Sequence, residues 1–272
     1  MTPPLPALAH PAYEIMNPEA PGPWVVTCDH ASNAVPDWVA GGDLGLPAWD
    51  MARHIAYDVG AAGLTRALAR HLGSPAILAR FSRLVIDPNR GEDDPTLLMR
   101  LYDGSVIPAN RRLSPGDVAA RLDRLYRPYH AALEALARGR GHERGRPAIL
   151  AIHSFTPQLK GRPPRPWQVG VLHSHLDQRL ARPLLERLGR EADLCVGDNE
   201  PYSGHLPGDS IDRHALKHGR LNALVEVRND LIGTPEDQEA WAARLAPILA
   251  AALDEATARP TSRPEAWRTA HG

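Results

Sequence analysis

Apolar positions along the chain alternate between short continuous runs and longer stretches of helical period. Residues 24–28 are a short apolar run that stops abruptly at the polar segment 29–33, the pattern of a buried parallel strand delivering a loop to the C-terminal edge of a sheet. Over 54–72, Ile55, Val59, Ala62, Leu64, Leu68 and Leu72 recur at helical spacing, and Gly73 stands where a C-cap would. Two short β-rich pieces, 76–79 and 84–86, flank the polar 80–83, with turns expected at Pro88 and Gly91. Residues 91–114 show no clear period, as lids and specificity loops often do. A helix follows over 114–138, with Ser114 as N-cap, Pro115 at N1, a stripe of Val118, Leu122, Leu125, Tyr129, Leu133 and Leu136, and a kink expected at Pro128. Strands at 148–152 and 168–172 end on His153 and His173. A helix over 176–188, a late strand over 221–227 carrying Glu226, and an Ala-rich helix over 234–258 complete the series.

This alternation predicts an α/β fold, a mainly parallel sheet covered by helices on both faces. Residues 1–23 are Pro-rich and aperiodic and should run as an extended N-terminal arm. Residues 24–258 form a single α/β domain, and 259–272 a frayed tail. No internal repeat is visible.

Composition narrows the partners. With 31 Lys and Arg against 32 Asp and Glu, the chain offers no electrostatic footprint for nucleic acid or an anionic membrane, so a small-molecule partner is expected. The basic Gly/Arg stretch at 138–147 lacks interleaved aromatics and reads as a solvated loop. Two cysteines, Cys28 and Cys195, exclude a disulfide framework or a Cys-rich zinc knuckle; Cys28, inside a strand, reads as inert packing. The N-terminal residues carry no export-signal pattern and no stretch is apolar enough to span a bilayer, which points to a cytoplasmic protein. Arginine strongly outnumbers lysine and Ala and Pro are abundant, a composition typical of GC-rich bacterial coding. Nothing in the sequence opposes a homo-oligomer.

Several strand ends carry a polar group: His30, His153, His173 and Glu226. Imidazoles delivered by separate strands suit a catalytic divalent metal site, zinc foremost, which takes three protein ligands and leaves a position for water. With 13 histidines in the chain most must be non-ligands. His30 and His153 stand out because each follows an apolar strand and precedes a small residue, whereas His173 and His175 fit less well. No HxxE acid follows His30. Asn33 stands there instead, a neutral oxygen and a weak ligand that fits the substrate side better. Asp58, in HIAYDVGAA, is the choice for the third ligand; its alternative role is to interact favourably with a helix N-terminus. Glu226 sits in an otherwise apolar run, so it is either paired with Arg228 on the same strand face or a general base that takes a proton from a metal-activated water. Arg83, Asn89 and Arg90 form a cationic cluster suited to an acidic substrate, or alternatively a turn salt-bridged to Asp87 and the acids at 92–94.

VVTCDHASNAVP, HIAYDVGAAGL, ARFSRLVIDPNR, ILAIHSFTP, VGDNEPYSG and LVEVRNDLI, in this order, resemble the recurring segments of the N-formylglutamate amidohydrolase family over about 24–232. The resemblance implies a three-layer, doubly wound α/β sheet of the carboxypeptidase-like and zinc-dependent amidase kind (phosphorylase/hydrolase-like), with a metal at the strand ends. It implies His30 and His153 as metal ligands, Glu226 as the catalytic carboxylate, support for Asp58 as the acidic ligand, and Asn89 and Arg90 as a substrate-carboxylate element. It also implies that NEPYSG, with Ser203 and Gly204, lines the substrate pocket.

The expectation is therefore metal-dependent hydrolysis of the amide of a small N-acylated acidic amino acid, N-formyl-L-glutamate first, releasing formate and glutamate. Arg90, helped by Arg83 or Arg228, would hold a substrate carboxylate. Two alternatives remain at this level: a zinc amidase or peptidase acting on other N-acyl amino acids, peptides or cell-wall fragments, and a non-catalytic binding protein for acidic small molecules.

Overall fold

The computed structural model describes residues 9–138 and 146–258. Ten strands occur among these described residues, in chain order: β1 (Ala9–His10), β2 (Tyr13–Met16), β3 (Trp24–Cys28), β4 (Ala76–Ala79), β5 (Leu101–Tyr102), β6 (Ser105–Val106), β7 (Ala148–Phe155), β8 (Val169–Leu172), β9 (Val196–Asp198) and β10 (Asn222–Arg228). Eight of them make one sheet in the order β1-β2-β4-β3-β7-β10-β8-β9, and β5 and β6 form a separate hairpin. The pairs β3·β4, β3·β7, β7·β10 and β8·β9 are parallel, while β1·β2, β2·β4 and β8·β10 are antiparallel.

Alternating side chains of the central strands serve two core layers, as the pleat requires. Val26, Leu150, Ile152 and Val225 pack under α2 (Ala61–His71), α5 (Ala181–Leu188) and α7 (Pro235–Ala258). Val25, Ile149, Ala151 and Leu224 face the layer built by α4 (Arg127–Arg138) and α6 (Ser210–His214), which the short α1 (Ala48–Met51) and α3 (Pro115–Arg121) extend. Both faces are covered, which makes this an α/β fold with a mixed, mostly parallel sheet. The chain leaves β3 for β4 on one side and returns to β7 on the other. The ends of β3 and β7 thus bound the crevice where open α/β sheets bind ligands.

Four sequence expectations change. The arm expected over 1–23 is in part a strand pair: β2 joins the sheet edge beside β4 because Tyr13 and Ile15 offer it a buried face, and four residues among prolines give too short a pattern to read. Residues 1–8, the tail at 259–272 and most of the basic stretch at 138–147 lie outside the described residues. The piece at 84–86 is buried but is not a strand. Its backbone is satisfied locally, the Leu84 and Val85 N–H groups donating to the Ser82 Oγ and carbonyl. The helix expected from 54 begins only at Ala61, because Gly60 turns the chain with φ 80°. The helix over 114–138 keeps its Ser114 capping box but passes through a five-residue π turn, Leu122–Tyr126, just ahead of Pro128. That wider turn accommodates the N–H that proline lacks. No helix among the described residues is long and apolar enough to cross a membrane.

Candidate metal centre and its cleft

β3 runs out at Cys28, and the next two side chains, Asp29 and His30, remain fully buried at the strand end. The turns that replace the first part of the expected helix bring Asp58 to the same place, tied by its N–H to the His30 carbonyl at 2.9 Å. Asp58 is not a helix cap: its carboxylate points into the crevice and Gly60 is the N-cap of α2. From β7 comes His153. The parallel register sets Glu226 of β10 directly beside His153, on the same sheet face.

The imidazoles and carboxylates interlock. The Asp58 Oδ2 lies 2.8 Å from His153 Nδ1 and 3.3 Å from His30 Nδ1, and the Ser154 N–H donates to it at 3.3 Å. Behind, His30 Nε2 meets Asp87 Oδ1 at 2.7 Å, and His153 Nε2 faces Asp29 Oδ2 at 3.7 Å, an ion-pair distance too long for a hydrogen bond. Asp87 is itself held by Arg83, through Nη2 at 2.7 Å and Nε at 3.1 Å, and by the Asn89 N–H. The Tyr129 hydroxyl donates to Asp29.

Three carboxylates thus surround two buried imidazoles with one arginine to offset them. Burial raises the pKa of Asp29, but His153, His30 and the Tyr129 hydroxyl outweigh it and lower it to about 2. Burial is likewise outweighed at Asp58 by His30 and His153, and at Asp87 by Arg83 and His30, so both are held well below the ordinary carboxylate range. Burial disfavours charge on His153, yet Asp29, Asp58 and Glu226 raise its pKa well above the ordinary value. Glu226 differs: burial, aided by the Asp58 charge and opposed by His153, pushes it up to about 7, and its Oε2 is buried without a hydrogen-bond partner.

This arrangement fits a divalent cation. A neutral imidazole carries one N–H and one lone pair. If His30 and His153 donate from Nε2 toward Asp87 and Asp29, their Nδ1 lone pairs face an ionised Asp58 oxygen, an arrangement that repels unless a cation lies between. The three donor atoms of His30, Asp58 and His153 lie within 4.8 Å of one another, and the His30–Asp58 spacing is near the roughly 3.3 Å expected between ligands sharing a tetrahedral ion. A carboxylate behind each imidazole is the usual support of a metal-bound histidine.

The centre opens into a cleft of about 650 Å³, measured out to its mouth. Asn89 and Arg90 form one wall, Phe155, Leu172 and Leu224 rise from the sheet, and His54 with Tyr102 of the β5–β6 hairpin closes another side. The loop after β9 brings Tyr202, Ser203, Gly204 and Leu206. Asn199 Oδ1 fastens that loop by accepting the His173 and Gly204 N–H groups, and a side chain at Gly204 would run into the His173 backbone, 2.1 Å from its N. The hairpin is clamped by Arg53, bonded to Asp50 and Asp103, and by Ser105 bonded to Asp50.

Of the residues singled out from sequence, His30, Asp58, His153 and Glu226 come together, and Arg83, Asn89, Arg90, Ser203 and Gly204 join them at the cleft. Asn33 and Arg228 do not. Asn33 is exposed and donates to the Met51 carbonyl, and Arg228 pairs with Asp230 at 2.8 Å rather than with Glu226. His173 turns away to Asp198 at 2.7 Å. Sequence reasoning passed over Asp29, and took Asp87 only as a salt-bridge partner, although both are acids at the ends of apolar runs, the same signal that marked the histidines. His54, Tyr202 and Asp209 arrive from irregular segments and Tyr102 from a two-residue strand, all too short or aperiodic to read.

Comparison with known proteins gives a consistent picture. The family model described as N-formylglutamate amidohydrolase matches residues 22–233. Among solved structures, a gene product of Agrobacterium tumefaciens is 34% identical with TM-score 0.81, covering 89% of this chain and 95% of its own. An N-formylglutamate amidohydrolase from Ralstonia eutropha JMP134 is 24% identical with TM-score 0.60, covering 88% of this chain and 98% of its own, a likeness of fold. No curated protein sequence matches significantly.

Proposed function

Because the chain belongs to the N-formylglutamate amidohydrolase family, and so is a hydrolase of amide C–N bonds, we propose that it hydrolyses small N-acylated acidic amino acids, N-formyl-L-glutamate foremost, with a divalent metal, zinc foremost, held by His30, Asp58 and His153. The observation that carries this reading is the meeting of two Nδ1 atoms and one carboxylate oxygen beside Glu226, whose Oε2 is buried without a hydrogen-bond partner.

A divalent cation there would act as a Lewis acid toward the acyl carbonyl and lower the pKa of water. Asp87 holds the His30 imidazole by a hydrogen bond to Nε2, and the Asp29 charge stands behind His153 at 3.7 Å. Glu226, with a pKa pushed up to about 7, is poised to accept the proton of the attacking water and to return it to the departing amine nitrogen. Arg90 has no carboxylate within ion-pair distance among the described residues. Its guanidinium bonds only to Thr96 Oγ1 and the Asn89 carbonyl, which leaves it to take a substrate carboxylate. Arg83, committed to Asp87, acts by positioning that acid.

The test joins assay and metal analysis. Purified protein should contain about one divalent ion per chain and release formate from N-formyl-L-glutamate. Complete removal of metal by a chelator should abolish the activity and zinc should restore it. Undiminished turnover by fully metal-free protein would overturn the metal-dependent reading.

A further inference from the structure

A dicarboxylic substrate needs more than one cation, and most arginines near the cleft are spoken for. Arg83 is tied to Asp87, Arg53 to Asp50 and Asp103, and Arg228 to Asp230. Asp29, Asp58 and Asp87, buried together at the strand ends, make the interior acidic, so a dianion would be repelled without uncommitted positive charge. Besides Arg90, Arg165 meets that need. It lies in the loop between β7 and β8, has no carboxylate within ion-pair distance among the described residues, and stacks over two rings that line the cleft. Its guanidinium carbon is 5.0 Å from the Tyr202 ring centre and 5.7 Å from that of Phe155.

The side chain is held in place with donors to spare. One terminal nitrogen, Nη1, donates to the Thr156 carbonyl and to the Tyr202 hydroxyl, each at 3.1 Å, while Nε and Nη2 bond to no other described residue. The backbone is anchored too: the Arg165 N–H donates to the Pro157 carbonyl at 2.8 Å, and Pro164 and Pro166 restrict the chain on either side. Aromatic faces favour a guanidinium and strip it of water, leaving a planar fork matched to a carboxylate. Its charge is felt within the cleft: beside burial, Asp103 and Arg53, it is among the influences on His54, whose pKa is lowered.

Resting on the amidohydrolase reading above, we infer that Arg165, stacked on Phe155 and Tyr202, binds the side-chain carboxylate of an N-acylated acidic amino acid and sets the preference for a charged over a neutral side chain. Arg90, beside the metal ligands' supporting acid, is placed for the α-carboxylate nearer the scissile amide. Arg165 stands over Phe155 and Tyr202, two rings of the cleft wall, where the far end of the substrate would reach.

The comparison that tests this is N-formyl-L-glutamate against N-formyl-L-glutamine, which keeps the shape and removes the charge. The wild type should favour the glutamate compound in kcat/KM. R165Q should reduce that ratio by about 10- to 100-fold, with most of the change in KM, and R165K should fall between. A purely structural role would slow both substrates in parallel and leave the ratio intact, which would overturn the inference; so would a wild type indifferent to the charge. Binding of glutarate against glutaramate, followed by calorimetry on the same proteins, reads the same preference without turnover. Absence of hydrolysis by the wild type would therefore count against the amidohydrolase reading, while loss of the glutarate preference in R165Q would still support Arg165 and its retention would overturn it.

Discussion

Two buried histidine pairs lie on the same side of the sheet, and they are built on different principles. His130 of α4 and His214 of α6 stack at 5.1 Å with a 20° interplanar angle, and the carboxylate beside them, Glu134, is shared among His214, Arg220 and Arg138. The hydrogen bonds run in one sense. His130 Nδ1 can donate to His214 Nε2 at 2.9 Å, and His214 Nδ1 to Glu134 at 3.0 Å, with both rings neutral. Burial, joined at His130 by the neighbouring His214 charge, lowers both pKa values. The pair His30 and His153 instead meets at 73° and faces three ionised acids with one arginine among them. One cluster satisfies its charges internally. The other has more negative charge than its own residues balance. A buried His–acid group is therefore not a site in itself; two imidazole nitrogens and a carboxylate oxygen converging on one point amid unbalanced negative charge make it one.

The sharpest way to break this contrast is to remove one carboxylate from each cluster. E226Q should lower kcat by about 10²- to 10⁴-fold, as loss of a general base does, while its melting temperature is no lower than that of the wild type. E134Q should do the reverse. Arg220 is only 4% exposed and would lose its counter-charge, so the protein should lose about 2–4 kcal/mol in denaturant unfolding with kcat/KM preserved. Loss of stability in E226Q together with loss of activity in E134Q would show that the two roles have been assigned the wrong way round.

A smaller effect should appear in the pH dependence of stability, with opposite signs at the two clusters. In chelated protein, Glu226 ionises only near pH 7 when folded but near its ordinary 4.5 when unfolded, so the unfolded chain releases that proton first as pH rises. The wild type then loses stability between about 4.5 and 7, and the advantage of E226Q over it should grow across that range by about 3 kcal/mol and level off above it. His214 works the other way. Its folded pKa lies below the ordinary 6.5, so below that pH the unfolded chain takes up a proton that the folded one refuses, and stability falls as pH falls. The deficit of H214Q relative to wild type should consequently shrink from pH 7 to pH 5. Urea midpoints at three or four pH values for the three proteins give both slopes, and slopes of equal sign would refute the distinction.

Much of the open site could be read from the chain because parallel strands end where ligands bind. His30, His153 and Glu226 each stand at or beyond an apolar run, and the sheet converts three such ends into one location. Asp58 was within reach for a different reason, its place near the start of the helix expected behind the first loop, although that helix begins only at Ala61. The His130–His214 cluster gave no comparable signal. His130 and Glu134 sit on a helix stripe and His214 on a five-residue helix, and only tertiary packing brings them together. Arg165 was hidden similarly, in a Pro-rich loop with no period. Arg228 and Asn33 misled for the opposite reason: each stands within three residues of a site residue, but sequence proximity does not say which way a rim side chain turns.

Those two residues yield the smallest expected effect, and it marks the edge of the site. The loop after His30 is fastened at several points besides Asn33: the Asp58 N–H donates to the His30 carbonyl, and the Ser82 N–H to the Ala34 carbonyl at 2.8 Å. Removing the Asn33 amide deletes one exposed hydrogen bond to Met51 at 2.8 Å, worth little where water can replace it. N33A should therefore unfold within about 0.5 kcal/mol of the wild type and keep its kcat/KM. R228Q, which gives up a half-exposed pair with Asp230, should behave alike, in contrast to the loss of substrate preference expected of R165Q. A ten-fold fall in kcat/KM for N33A would mean that substrate reaches across the loop toward Met51, and that the cleft is larger than the walls at His54 and Tyr102 now define.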